Sequence, residues 1–312
     1  MTQASRSPRI RLGTRRSPLA MAQAHEARDR LCAAHGWTED EVEIVPVIAS
    51  GDKIQDRPLA DIGGKALWTR ELDVWLAEGR IDAAVHSMKD VETIRPDSLA
   101  IGAILPRADK ADMLLGALSI ASIPQGARVG TSAPRRAAQL LHARPDLQVV
   151  GIRGNVATRM AKLQAGEADA TFLAAAGLDR LGESGVGVRL NPEEWLPAPA
   201  QAAIGVECRA NDAATRDLLE VIDHTDSREE VLLERALLEG LGGSCHSPIA
   251  ALTDRDGDRV HLRVAIYSPD GAVKVEDTAD LAPDDHTGAR DLAQRLLEQA
   301  PEHVRVHFGG AK

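Results

Sequence analysis

The chain has 312 residues, 44% hydrophobic and 27% charged, so it is long enough to bury the cores of two or three domains. Its net charge of -10 and its aromatic content of 2% argue against a general binder of nucleic acid or of membrane surfaces. No stretch approaches the roughly 18 apolar residues of a membrane span, and the first residues lack the apolar run of a secretory signal. We therefore expect a cytoplasmic protein that binds neither nucleic acid nor membrane.

The N-terminal part of the chain alternates strand-like and helix-like segments, which is typical of an open α/β sheet. The predicted elements are a strand over 10–14, a helix over 19–34, a strand over 42–49, a helix over 67–79 and a strand over 81–87. The second strand is so apolar that we expect both of its faces to be buried, as in a parallel sheet.

A second α/β unit follows. Its predicted elements are a strand ending at Val129, a helix with Ser132 as N-cap and Pro134 in its first turn, a strand over 148–152, a turn at Gly154 that leads into a helix, and a last strand and helix start within 168–182. The same alternation as in the first unit predicts a second sheet.

The chain then returns to the first unit and ends in a third, smaller one. Residues 196–209 read as a proline-rich crossing and an apolar strand, 269–271 as a hairpin turn, and 289–299 as a final helix. The fold class is therefore α/β with three domains, and the predicted domains are residues 1–107 together with 198–222, residues 108–197, and residues 223–312.

The three cysteines are far apart and form no CxxC pair, so the sequence predicts neither a zinc site nor a disulfide framework. Cys32 falls on a helical pattern and Cys208 in an apolar strand, where packing explains both. Cys245 lies in the glycine- and serine-rich stretch LGGSCHSPIA, where packing does not explain a thiol.

Arginines collect where the predicted strands end. Of the 37 basic residues, 30 are arginines, and Arg15, Arg135, Arg136, Arg153 and Arg159 follow strands of both units. Carboxyl ends of strands in open sheets bind ligands, and arginine suits carboxylates, so the set predicts a site for a polycarboxylate. Phosphate is the competing ligand, although no P-loop or GxGxxG spacing is present. Taken singly, Arg135, Arg136 and Arg159 are also explained as solvated helix residues.

Asp90 follows the strand at 81–87 directly, beside Lys89. A carboxylate at this place can move a proton or stabilise a developing cation, and a capping aspartate is the plain alternative. Lys65 lies in the basic loop DIGGKALW, which suits contact with a substrate or simply starts a helix.

Eight motifs resemble the porphobilinogen deaminase family, whose members are also called hydroxymethylbilane synthases. They are RLGTRRSPLAMAQA (11–24), GDKI with PLADIGGKALWTREL (51–72), AAVHSMKDVE (83–92), VGTSAPRR (129–136), GIRGNVATRMAKL (151–163), AAAGLDRLG (174–182), LPAPAQAAIGVECR (196–209) and GGSCHSPIA (242–250). The last sixty residues are only loosely similar to the family.

The resemblance implies a fold and an activity. The fold has three α/β domains, the first two like the lobes of periplasmic binding proteins and the third carrying the cofactor loop. A dipyrromethane cofactor, made from the enzyme's own substrate, is held by a thioether to Cys245. Four molecules of porphobilinogen are joined to it head to tail with loss of ammonia, and hydroxymethylbilane is released. A monomer is implied as well.

The resemblance also assigns roles to residues. Asp90 matches the catalytic aspartate. Cofactor contacts are implied for Cys245, Ser87, Lys89, Thr131, Ser132, Arg135 and Arg136. Substrate contacts are implied for Arg15, Ser17, Lys65, Arg153, Gly154, Arg159 and Arg180. No metal is implied.

Several positions depart from the family pattern. Ala200 and Ala202 replace the glycines of a GQG motif, which puts the geometry of a hinge in doubt. Ala133 and Pro134 replace a commoner serine and leucine, and the basic loop has Ala66 and Trp68 where glycine and phenylalanine are usual. None of these touches Asp90 or Cys245, so we expect activity to be retained.

Two other functions are compatible with parts of the sequence. A non-catalytic, two-lobed anion-binding protein would use the arginines but leaves Cys245 and Asp90 without a role. A cysteine hydrolase would pair Cys245 with His246, although adjacent loop side chains rarely reach the geometry of nucleophile and base.

Overall fold

In the part of the chain that the structure describes, three β-sheets are flanked by helices. The computed structural model describes residues 8–47, 69–244 and 246–309. The strands are β1 (Ile10–Arg15), β2 (Val42–Val47), β3 (Ala83–Ser87), β4 (Leu99–Ile104), β5 (Asp112–Leu115), β6 (Arg128–Gly130), β7 (Gln148–Val150), β8 (Ala170–Ala174), β9 (Val188–Arg189), β10 (Ile204–Arg209), β11 (Ile249–Asp256), β12 (Arg259–Tyr267) and β13 (Lys274–Leu281). The helices are α1 (Pro18–His35), α2 (Arg70–Ala77), α3 (Pro134–Ala143), α4 (Val156–Gln164), α5 (Ala175–Arg180), α6 (Ala213–Glu220), α7 (Thr225–Leu241), α8 (His286–Gln299) and α9 (Glu302–Arg305). The mixed α/β architecture with three sheets agrees with the fold class that the sequence predicts.

The first two sheets share one topology. Their strand orders are β2-β1-β3-β10-β4 and β7-β6-β8-β5-β9. In each, a first strand (β1 or β6) pairs in parallel with two neighbours, and an antiparallel strand (β10 or β5) follows. Each antiparallel strand comes directly after the chain has crossed over from the other sheet. The predicted return of residues 196–209 to the first unit is confirmed, because β10 pairs with β3 and β4.

The third sheet is an antiparallel meander, β11-β12-β13. One face packs on α7 and α8 through a core that includes Leu237, Val264 and Leu296, all at most 1% exposed. The hairpin at 269–271 is confirmed, and the predicted final helix starts three residues earlier, at His286.

Local sequence signals set the ends of the helices that border the site. Ser17 caps α1 by accepting a hydrogen bond from the Ala20 amide at 3.3 Å, and Pro18 occupies the first turn. Gly242 ends α7 in a left-handed conformation with φ of 62°. The chain therefore leaves α7 abruptly, just before the segment that contains residue 245.

Two local predictions are wrong. Strand β2 lies at the edge of its sheet with Glu43 and Pro46 exposed, whereas we expected both faces to be buried. The N-cap of α3 is Ala133, which makes no side-chain capping bond, while the Ser132 hydroxyl donates to the Ile152 carbonyl at 2.8 Å. In the ranges that the structure describes, no helix combines the length and apolarity needed to cross a membrane.

Candidate active site

A cavity of about 710 Å³ opens between the first two sheets and the start of the third domain. Most of the predicted site residues line it: Arg15, Ser17, Ser87, Lys89, Asp90, Ser132, Arg135, Arg136, Arg153, Gly154 and Arg159. They come from the ends of strands in both sheets and from the helices that follow, as expected for open α/β sheets. The structure thus brings together side chains that are up to 144 residues apart in sequence, from Arg15 to Arg159.

Asp90 ends a short 3-10 turn, Met88–Asp90, that follows β3 without a gap. The Met88 amide donates to the Ala203 carbonyl at 3.0 Å, and the Val91 amide donates to the Met88 carbonyl at 3.2 Å. The buried Met88 side chain lies against Gly205, where an added Cβ would come within 2.1 Å of its sulfur. The turn that carries Asp90 is therefore fixed to the neighbouring strand β10.

Lys89 lies next to Asp90 at the cavity wall. Burial lowers the pKa of Lys89 from 10.5 to about 8, although the neighbouring Asp90 carboxylate partly opposes the shift. Arg136 and Arg135 contribute to this lowering. Within the described ranges no carboxylate forms an ion pair with Lys89, so its ammonium group is suited to an incoming anion.

Arg135 and Arg136 are buried and share one carboxylate. Asp112 in β5 accepts from Arg135 Nη1 at 2.5 Å through Oδ2 and from Arg136 Nη2 at 2.7 Å through Oδ1. The Trp195 indole also donates to Asp112, at 2.9 Å, and the Gln201 amide donates at 3.0 Å. The two arginines hold the pKa of Asp112 far below its usual value in spite of burial. Their orientation is therefore set by a carboxylate that the sequence analysis did not single out.

The loop before α4 contributes Arg153 and Gly154, and the first turns of α4 contribute Arg159. Gly154 has φ of 118°, and a Cβ there would lie 2.5 Å from the Thr158 side chain, so only glycine fits. Arg159 Nε donates to the Gly154 carbonyl at 3.0 Å. Burial, followed by the proximity of Arg136, lowers the pKa of Arg159 to about 10. Like Lys89, it has no ion-pairing carboxylate among the described residues.

Ser87 and the first sheet complete the opposite wall. The Ser87 hydroxyl exchanges hydrogen bonds with the Gln23 side chain at 2.8 and 3.0 Å. A second, smaller cavity adjoins Asp90 here, and it is also lined by Arg15, Ser17 and Gln23.

Four predicted site residues lie elsewhere or outside the described ranges. Thr131 is buried, and its hydroxyl accepts a hydrogen bond from the Ala133 amide at 3.1 Å. Arg180 pairs with Glu26 at 3.2 Å and donates to the Ala202 carbonyl at 3.0 Å, away from the cavity wall. Lys65 and Cys245 lie outside the described residues. The residues on either side of position 245, Ser244 and His246, both line the large cavity.

Arg235 in α7 also lines the cavity, and the sequence analysis missed it. Its guanidinium donates to the backbone carbonyls of Glu92 at 2.7 Å and Thr93 at 3.0 Å, in the loop after Asp90. The Thr93 hydroxyl in turn donates to the Gly243 carbonyl at 2.9 Å. The loop after Asp90 is thus bonded to the segment before residue 245. Arg235 lies in a plain amphipathic helix pattern, so nothing in the local sequence marked it.

Cations and hydroxyl groups dominate this site. The described residues include no group of three or more His, Cys, Asp or Glu side chains that could hold a metal ion. Lys89, Arg153 and Arg159 form a donor set for carboxylates. Among the described residues that line the cavity, Asp90 is the only carboxylate, so the site combines strong anion binding with a carboxylate that can act as acid or base.

Two family models match the chain. "Porphobilinogen deaminase, dipyromethane cofactor binding domain" matches residues 10–217, and "Porphobilinogen deaminase, C-terminal domain" matches residues 228–301. Together they cover the large cavity and the third domain. The first match shows that the chain has the cofactor-binding domain of that family.

Curated relatives and solved structures were compared as well. The porphobilinogen deaminase of Sphingopyxis alaskensis is 54% identical over 305 residues, 96% of each chain. That of Paracoccus denitrificans is 51% identical over 296 residues, 94% of this chain and 95% of the relative. A double mutant of the VFT2 domain of Bordetella pertussis BvgS aligns at 16% identity and a TM-score of 0.41, over 73% of this chain and 91% of that one; nothing about function follows from so distant a likeness. By its two domain matches and its relatives, the chain belongs to the porphobilinogen deaminase family, enzymes of tetrapyrrole synthesis that carry a dipyrromethane cofactor.

Proposed function

We propose that this protein is a transferase that joins four molecules of porphobilinogen head to tail, releases ammonia and yields hydroxymethylbilane. The observation that carries the proposal is Asp90, the only carboxylate among the described residues of the cavity, which lies among cations from both lobes. Porphobilinogen carries an acetate and a propionate, so the growing chain is a polyanion. An otherwise acidic protein needs a local set of cations to hold it.

The residues present fit a dipyrromethane attached at Cys245. Ser244 and His246 line the cavity, and Lys89 faces it without an ion-pairing carboxylate among the described residues. The buried Arg135 Nε likewise has no hydrogen-bond partner in the described part of the chain. When bound, the cofactor supplies the pyrrole carbon to which the first substrate is joined. As the family resemblance implies, the carboxylates of the cofactor would be held by Ser87, Lys89, Thr131, Ser132, Arg135 and Arg136.

Substrate carboxylates would be held by the remaining cations and small polar groups of the site. These are Arg15, Ser17, Lys65, Arg153, Gly154, Arg159 and Arg180. Arg159 supports this role best, because its pKa is lowered to about 10 by burial and a carboxylate would restore its charge balance. For Arg180 the support is indirect, since it bonds the Ala202 carbonyl at the crossing between the lobes.

Asp90 would be the catalytic residue. Loss of ammonia from the aminomethyl group requires a proton at its nitrogen and leaves an electron-poor pyrrole. A carboxylate held rigidly beside the methylene carbon that ammonia leaves stabilises the positive charge and can hold the proton. The bonds that tie the Asp90 turn to β10 support this role, because they fix the carboxylate before substrate arrives.

We further propose domain limits of 1–107 with 198–222, 108–197 and 223–312, a monomeric state and a cytoplasmic location. The three sheets support these limits, since each sheet falls within one proposed domain.

The deciding experiment is an intact mass of the purified protein under denaturing conditions, with peptide mapping of residues 236–254. We expect a mass increase of two linked pyrroles on Cys245. Cofactor-loaded Asp90→Asn protein should keep that mass and lose at least about a hundredfold in kcat. A cysteine that stays unmodified after incubation with porphobilinogen would favour the anion-binding alternative.

A further inference from the structure

The loop after Asp90 is held by a partly buried group of charges that the proposed reaction does not use. Glu92 lies two residues beyond Asp90, and its Oε2 accepts from Arg95 Nη1 and from the Thr69 hydroxyl, both at 2.8 Å. Its backbone carbonyl accepts from Arg235 at 2.7 Å. Glu92 is thus fixed through both its side chain and its backbone.

Arg95 connects this loop to the first sheet. Its guanidinium forms a bidentate salt bridge with Glu207 in β10. Nε donates to Oε1 at 3.0 Å and Nη2 donates to Oε2 at 2.9 Å. It also pairs with Asp73 in α2 at 2.5 Å. Burial raises the pKa of Glu207, but His86 and Arg95 outweigh burial and lower it to about 2. The Arg95 side chain is only 10% exposed, so the guanidinium is a rigid support.

The same group of residues borders the site itself. Thr69 and His86 line the smaller cavity together with Asp90 and Ser17. Thr69 therefore contacts the space next to Asp90 and, through its hydroxyl, the carboxylate of Glu92. A shift of Glu92 would act on Asp90 from two directions, along the backbone and across this cavity.

We propose that Glu92 is a positioning residue for Asp90, held in place by Arg95 and Thr69. The inference rests on the proposed catalytic role of Asp90. Glu92 acts through the loop and does not touch the substrate. Its carboxylate stops the chain from moving between the 3-10 turn and β4, so that Asp90 keeps one position during each of the additions.

The chain offers a matched control for this idea. Asp73 binds the same guanidinium and is equally exposed, 20% against 23% for Glu92, but it belongs to α2 and not to the Asp90 loop. Glu92→Ala and Asp73→Ala each remove one carboxylate from Arg95. Only the first removes the tie to Asp90.

The test is steady-state kinetics of the two cofactor-loaded variants, with their melting temperatures and with Asp90→Asn alongside. We expect Glu92→Ala to lower kcat about tenfold with KM within about twofold of the wild type, because a misplaced Asp90 affects chemistry more than binding. Asp73→Ala should lower the melting temperature similarly and keep kcat. Glu92→Gln, which retains an acceptor for Arg95, should recover most of the lost kcat.

Equal kcat losses in Glu92→Ala and Asp73→Ala, or an unchanged kcat in Glu92→Ala, would overturn the inference. Failure of the proposed function has a different signature, an active Asp90→Asn enzyme. If Asp90→Asn is inactive while Glu92→Ala is fully active, only the positioning role is refuted.

Discussion

Among the single charges of the site, Lys89 has a pKa that burial lowers. Its folded-state pKa of about 8 lies below the ordinary value of 10.5 because burial disfavours the ammonium form. Below about pH 8 the group is charged in both the folded and the unfolded chain, so the cost of burying the charge is fully present. Between the two pKa values the folded protein gives up its proton first, and stability rises with pH.

We expect Lys89→Met to remove this pH dependence. In cofactor-free protein, made in cells that lack porphobilinogen, the variant should be more stable than wild type by about 1–2 kcal/mol near neutral pH, and this difference should shrink toward about pH 10. Urea unfolding of both proteins at several pH values measures it. A difference that stays constant with pH would mean that the Lys89 charge is not buried in the cofactor-free state.

The sequence identified most of the site residues but not their supports. Arg135 and Arg136 could be predicted as site residues because they follow the end of a strand, which is a local signal. Asp112, which orients both, is separated from them by more than 20 residues, and no local pattern marks it. Pairings of this kind arise from the arrangement of strands in the sheet, which the chain order does not reveal.

At the scale of elements, the crossing between the lobes contains the most unusual backbone. Ala200 and Ala202 have φ of 57° and 71°, so this chain keeps the left-handed conformation that the family's glycines would adopt freely. An L-residue other than glycine pays about 1–2 kcal/mol for it. The two alanines therefore change the conformational energy of this hinge and not the path of its backbone.

Ala202→Gly should raise the free energy of unfolding by about 0.5–1 kcal/mol, because the relief of strain exceeds the added flexibility of the unfolded chain. Ala203→Gly is the control, since Ala203 is buried at an ordinary φ, and it should lose about 1–2 kcal/mol. Denaturant unfolding compares them. A loss of stability in both variants would show that the methyl group of Ala202 packs more favourably than its backbone is strained.

Strand prediction succeeded where apolar runs were bounded by turn residues and failed where position in the sheet decides burial. The run 42–49 has the composition of a central strand, yet β2 is at an edge. No strand was predicted at β4 or β11, because short apolar runs carry little periodicity. Composition shows how apolar a segment is, whereas the sheet topology decides which strands lie beside it.

At the scale of the whole molecule, the buried carboxylate of Glu234 connects the third domain to the segments that link the two lobes. Glu234 in α7 accepts from both terminal nitrogens of Arg107 at 2.9 Å and from the Thr253 hydroxyl at 2.7 Å. Arg107 also donates to the Gln201 carbonyl at 2.9 Å, in the crossing between the lobes. Glu234 is fully buried, so its loss would leave the Arg107 charge poorly compensated.

We predict that Glu234→Gln costs about 3 kcal/mol and lets the third domain unfold before the rest. Differential scanning calorimetry should show one transition for wild type and two for the variant. Glu229→Gln on the same helix, which breaks only the part-exposed pair with Arg255, should cost less than about 1 kcal/mol. Similar thermograms for the two variants would contradict the prediction.

The crossing strands also fix an order of events during synthesis of the chain. Strand β10 sits between β3 and β4, but it begins more than 100 residues after β3 ends. At typical ribosomal speeds that gap lasts about 5–20 s, during which the first sheet lacks a central strand. All five strands of the second sheet emerge within that interval. The lobe that is started second can therefore be finished first, and the N-terminal lobe must wait with an open edge until its last strand leaves the ribosome.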